Sequence, residues 1–132
     1  MKRKLLILCA LFLVMLPLTI VAKDRLSINW ITHALQADKR DVLNSINSAL
    51  IYIGKGLSSS TLSDLQGFAR KANSAAKDAE SYADDIQDEE VEWYCHKGAT
   101  NARKAESESN IKNAKSYLEI AQKALLEAKK EL

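Results

Sequence analysis

The chain predicts an all-α fold: an antiparallel bundle of three, or on a second reading four, long amphipathic helices with alanine-rich, coiled-coil-like seams. Three observations carry this. Beyond its first 22 residues the chain contains no proline, so little punctuates it. Its apolar residues recur in steps of three and four and never sustain strict alternation. Two of its stripes repeat the 3,4 spacing of a supercoiled seam, with alanine at most positions.

The elements follow in order. Lys2, Arg3 and Lys4 form a positive start, Leu5 to Leu16 is an unbroken apolar run, Pro17 ends it, and Ala22 offers a small residue before Lys23. That is the layout of a secretory signal peptide over residues 1–22, so the protein is expected to be exported, to a periplasm or outside the cell. The alternative is an uncleaved membrane anchor, since the stretch from Leu5 to Ala22 approaches the length of a membrane span. Residues 23–132 then form a single helical domain, large enough to bury a core of its own.

In the first helical segment Ile28, Ile31, Leu35, Val42, Ile46, Ala49 and Ile53 share one face. Asp38 to Asp41 is either a polar turn of one long helix or a break capped by Asp38. Gly54 and Gly56 are expected to end the segment with a left-handed cap. Ser58 to Thr61 reads as a loop, with Ser60 or Thr61 capping the next helix and Asp64 in its first turn. That helix carries the cleanest stripe: Leu62, Leu65, Ala69, Ala72, Ala76, Ala79, Ala83 and Ile86, reaching Trp93 past Glu90. Such a seam lets helices approach closely but buries little area, at about 25 cal/mol per Å². The pattern fades near Lys97 to Asn101, and a turn is expected between there and Ser109. The last helix carries Ile111, Ala114, Leu118, Ala121, Leu125, Ala128 and Leu132. An acidic block from Asp78 to Glu92, followed by lysines and arginines from Lys97 onward, predicts an acidic helix lying along a basic one.

Composition excludes several functions. Loss of Lys2, Arg3 and Lys4 takes the formal net charge from +2 to −1, leaving no basic footprint for nucleic acid and no polybasic membrane patch. Cys9 lies in the apolar leader, and the residues before it lack the small side chains of a lipidation signal. Cys95 is therefore alone, and no internal disulfide is expected.

Glu92-Trp93-Tyr94-Cys95-His96 is the one constellation with chemical character. Cys95 and His96 match the second half of a haem-attachment motif, with His96 as axial ligand, but Glu92 stands where the first cysteine belongs. A haem held without a covalent bond between His33 and His96 has only the histidine count behind it. Asp88, Glu92 and His96 follow one another at four-residue steps, a face that could hold a divalent cation weakly; the ordinary reading is a solvated acidic surface. As a nucleophile Cys95 lacks a base, because adjacent His96 points about 100° away on a helix. Trp30, Trp93 and Tyr94 read as plugs at the bundle's wider ends or as a partner-binding patch. If Trp93 faces the bundle, Cys95 faces solvent and supports a minor disulfide-linked homodimer.

The expectation is a non-enzymatic, cofactor-free exported bundle acting through protein contacts, as adaptor, chaperone-like or self-associating module. Its partner is an unknown protein or a second copy, with no nucleic acid and no membrane after signal cleavage. The alternative is a small haem or metal carrier centred on Cys95 and His96.

Overall fold

The computed structural model describes residues 39–132, which all belong to one compact unit. The expected signal peptide, Trp30, His33, the stripe from Ile28 to Leu35 and the alternative cap at Asp38 lie outside the described residues. Four helices account for most of the rest: α1 (39–57), α2 (Leu62–Asp85), α3 (Glu89–Ser107) and α4 (Ile111–Glu131). No strand occurs among the described residues.

Successive helices run antiparallel. Tyr52 of α1 lies 5.8 Å below the Lys71 ammonium of α2, and Arg70 of α2 reaches Glu106 of α3 at 2.8 Å. Gly98 of α3 meets Leu125 of α4. Lys129 of α4 donates to Asn47 of α1 at 2.9 Å, and Gly56 of α1 meets Leu118 of α4. Each helix thus has two neighbours, and the fourth returns beside the first, as in an up-down-up-down bundle.

The stripes of α1, α2 and α4 face inward as their spacing predicts. Val42, Ile46, Ala49 and Ile53, then Leu65, Ala69, Ala72, Ala76, Ala79 and Ala83, then Ala114, Leu118, Ala121, Leu125 and Ala128 are all buried. Helix starts follow the expected capping chemistry too. Thr61 Oγ1 accepts from the Asp64 amide at 3.1 Å, and Asn110 Oδ1 accepts from the Lys112 and Asn113 amides.

Three expectations are corrected. Gly54 and Gly56 do not cap α1, which runs through both to residue 57 with no described glycine at positive φ. Gly56 permits a close approach instead: a Cβ there would sit 2.7 Å from Leu118 Cδ1. The acidic stretch is not continuous helix either, for α2 stops at Asp85 and α3 starts at Glu89. Gln87 takes the left-handed conformation at φ 58°. Its amide donates to Asp84 O at 2.9 Å and the Asp88 amide to Ala83 O at 3.0 Å, the paired bonds of a Schellman stop. Asp88 then accepts from the Val91 amide and caps α3, with Glu89, Glu90 and Glu92 placed where the helix dipole favours carboxylates. The acidic block therefore folds back on itself at a turn. It does not lie along a basic helix, and the α2–α3 ion pair toward the other end has its base on α2 and its acid on α3. A further turn does fall near the expected place, at Glu108 to Asn110, held by Gln66 Nε2 donating to Glu108 O at 2.8 Å.

Candidate functional site

The α2–α3 seam is built from small residues, and its polar edges consequently come within reach of each other. Ala69, Ala72, Ala76, Ala79 and Ala83 of α2 and Gly98, Ala99, Ala102 and Ala105 of α3 are buried. On one edge two ion pairs set the register: Arg70 Nε to Glu106 Oε1, and His96 Nδ1 to Glu80 Oε1, both at 2.8 Å. Continuing that register sets Asn73 opposite Arg103 and Lys77 opposite Ala99 and Thr100. Ala99 is too short to fill the space beneath Lys77. What remains is a groove of about 220 Å³ lined by Asn73, Lys77, Glu80, His96, Ala99, Thr100 and Arg103.

Its polar groups are unequally satisfied. Glu80 and His96 hold each other. Asn73 Oδ1 is buried and has no hydrogen-bond partner. Neither Lys77 nor Arg103 has an ion-pair partner among the described residues, whose three pairs are Arg70–Glu106, His96–Glu80 and Lys130–Glu127. Thr100 Oγ1 stands 3.5 Å from His96 Nε2. Carboxylate, imidazole and hydroxyl thus lie in line, the last contact standing at the long limit of a hydrogen bond.

The residues singled out in the sequence are dispersed. Cys95 is corrected: it is fully buried, whereas Trp93 is 55% exposed. The half-turn between the two positions holds, but the faces are exchanged. Burial, then the charges of Glu80 and Asp88, push the Cys95 thiol up to about 12, so it stays protonated. His96 points out of the bundle to Glu80, away from its neighbour Cys95. Asp88 caps α3, while Glu92 lines a separate shallow groove with Lys77, Glu80, Ser81 and Asp84. Among the described residues no three His, Cys, Asp or Glu side chains converge as a metal site. Trp93 stacks edge-on against half-buried Tyr94 at 4.9 Å between ring centres, with the Lys97 ammonium 4.8 Å from its ring.

The groove was missed in the sequence because its members come from two helices whose boundary was not visible. The four-residue steps Asn73–Lys77 and His96–Thr100 were readable, but their juxtaposition needs the turn at Gln87. No described helix is long and apolar enough to cross a membrane. Comparison of the chain with protein-family models, with curated proteins and with solved structures returns no match.

Proposed function

We propose that the protein is an exported, non-enzymatic helical bundle that works through protein–protein contact, as an adaptor, a chaperone-like module or a self-associating one. Export rests on the layout of residues 1–22. Trp93 carries the contact reading. A tryptophan more than half exposed, propped by Tyr94 and covered on one side only by a lysine, is a large rigid surface of the kind that dominates binding energy at interfaces. Among the described residues Ile51, Ile120 and Leu126 also stand well exposed.

A haem or metal carrier finds less support. Attachment to Cys95 would require opening the core around its sulphur, and the imidazole beside it is engaged by Glu80.

The test compares wild type and Trp93→Ser as bait in the native host. A discrete partner, or a second copy, should be retained by wild type and lost by the variant, with unchanged thermal stability. Identical bound material on both baits, or a Soret band or stoichiometric metal in the native protein, would overturn the proposal.

A further inference from the structure

We propose that a second copy of this chain docks antiparallel along α3 about a two-fold axis, with Trp93 of each copy beside Thr100 of the other. This rests on the protein-contact reading and names its partner. The argument is the order of charge along the helix. Its first turn is acidic, with Glu89, Glu90 and Glu92. Beyond Trp93 it is basic, with Lys97, Arg103 and Lys104, and the later acid Glu106 is held by Arg70. Glu89, Glu90, Arg103 and Lys104 are all exposed and have no ion-pair partner among the described residues. Such a helix repels a parallel copy of itself and complements an antiparallel one.

One register satisfies charge and packing together. With Trp93 across from Thr100, the two-fold passes between His96 and Lys97, and the acidic turn of one copy comes level with Arg103 and Lys104 of the other. A two-fold of this kind keeps each residue on its own side of the helix pair. At about 100° per residue Glu89 shares a side with Arg103, and Glu90 with Lys104. Those are the pairs that form, each of them twice. Thr100 is small and half-buried, at the rim of the groove floored by Ala99, so an indole finds room beside it. Lys97, next to the axis, leans back over the ring of its own Trp93 at 4.8 Å, which carries the two like charges apart. The contact is one helix of 19 residues, about 28 Å long at 1.5 Å per residue. That is a small interface, so the dimer is weak, and its exposed charges make it sensitive to salt.

The test is analytical ultracentrifugation of the purified protein at low salt, from about 10 μM to about 1 mM. A reversible monomer–dimer equilibrium with Kd on the order of 100 μM is expected, weakening as salt is added. Trp93→Ser should weaken it about thirtyfold. Two charge-reversed proteins, Glu89→Lys with Glu90→Lys and Arg103→Glu with Lys104→Glu, should each weaken self-association about tenfold or more. Mixed in equal amounts, these two should dimerise with each other at near wild-type affinity, because each supplies the charge that the other has lost. Thermal melts check that the variants fold. If α3 does not tolerate lysines in its first turn, Glu89→Gln with Glu90→Gln should still weaken the dimer. A dimer unmoved by Trp93→Ser or by the charge reversals, or two folded reversed proteins that do not pair, would overturn the assignment. So would a wild type that stays monomeric over the whole range. Retention of a different partner by wild type and its loss from Trp93→Ser would in that case leave the broader contact reading standing.

Discussion

The α2–α3 pair and the α1–α4 pair fill the same core with different residues. α2 and α3 contribute mostly alanine, with Gly98 where Leu125 of α4 enters: a Cβ there would stand 2.8 Å from Leu125 Cγ. α1 and α4 set the larger Val42, Ile46, Ile53, Leu118 and Leu125 among Ala49, Ala114, Ala121, Ala124 and Ala128. Large side chains supply apolar area, about 1.5–3 kcal/mol for each one fully buried. Small ones supply closeness, and closeness brings the polar rims of two helices into contact. Both inter-helix ion pairs among the described residues join α2 to α3, as does the Gln66–Glu108 hydrogen bond. Apolar area is therefore expected to come more from the α1–α4 pair, and polar contact across helices more from the α2–α3 pair.

The division can be broken most directly by truncation. Leu118→Ala should cost about 2–5 kcal/mol, because a fully buried leucine leaves a cavity facing α1. Ala76→Gly, its counterpart in the small-residue half, should cost only about 1 kcal/mol of helix propensity. Chemical denaturation of the two variants decides it: equal losses would mean that the halves do not differ as described.

Overpacking tests the closeness of the seam. Ala76 is fully buried, so Ala76→Leu should destabilise by about 1–3 kcal/mol. Lys77→Leu, one residue on and exposed, should stay within about 0.5 kcal/mol of wild type. Matching thermal melts would show that the α2–α3 spacing is looser than its residues imply.

Cys95 gives the seam a titratable reporter. Burial, as the main cause, pushes the folded thiol up to about 12 from its ordinary 9.0. The unfolded chain therefore gives up this proton first. The contribution is fully present below about pH 9 and is lost as pH rises from there toward 12, by up to about 1.4 kcal/mol per pH unit. Wild type should lose stability faster than Cys95→Ala across that window. Parallel pH profiles would place the thiol in contact with water. The same burial should make alkylation of Cys95 track unfolding of the bundle, which removes the exposed thiol on which a disulfide-linked dimer would depend.

The smallest effect lies at the joint between α2 and α3. Gln87 holds a left-handed conformation that glycine adopts without penalty. Gln87→Gly should raise stability by about 0.5–1 kcal/mol, read as a small upward shift in melting temperature. A fall would mean that the Gln87 side chain contributes more than its backbone strain costs.

Sequence alone determined the helical class, the faces of α1, α2 and α4, and a cap at Ser60 or Thr61 with Asp64 in the first turn, of which Thr61 is the one used. Leucine, isoleucine and alanine at 3,4 spacing have one low-energy arrangement, apolar side inward, and a short side-chain oxygen before a helix has one obvious donor to meet. α3 was not legible as a separate helix. Its inward positions are Val91, Cys95, Gly98, Ala102 and Ala105, too small and too mixed to register as a stripe. The stop before it uses Gln87 where glycine is usual, so the acids at Asp88 to Glu92 read as surface charge, although they mark a helix start. Once that turn is in place, every consequence is tertiary: Cys95 turns inward, Trp93 outward, and His96 finds Glu80, sixteen residues away, in place of Glu92 on its own helix. Local spacing can rank which residues share a face. Which face is buried, and which residues meet across a seam, depends on where the chain reverses, and here one strained backbone position sets that.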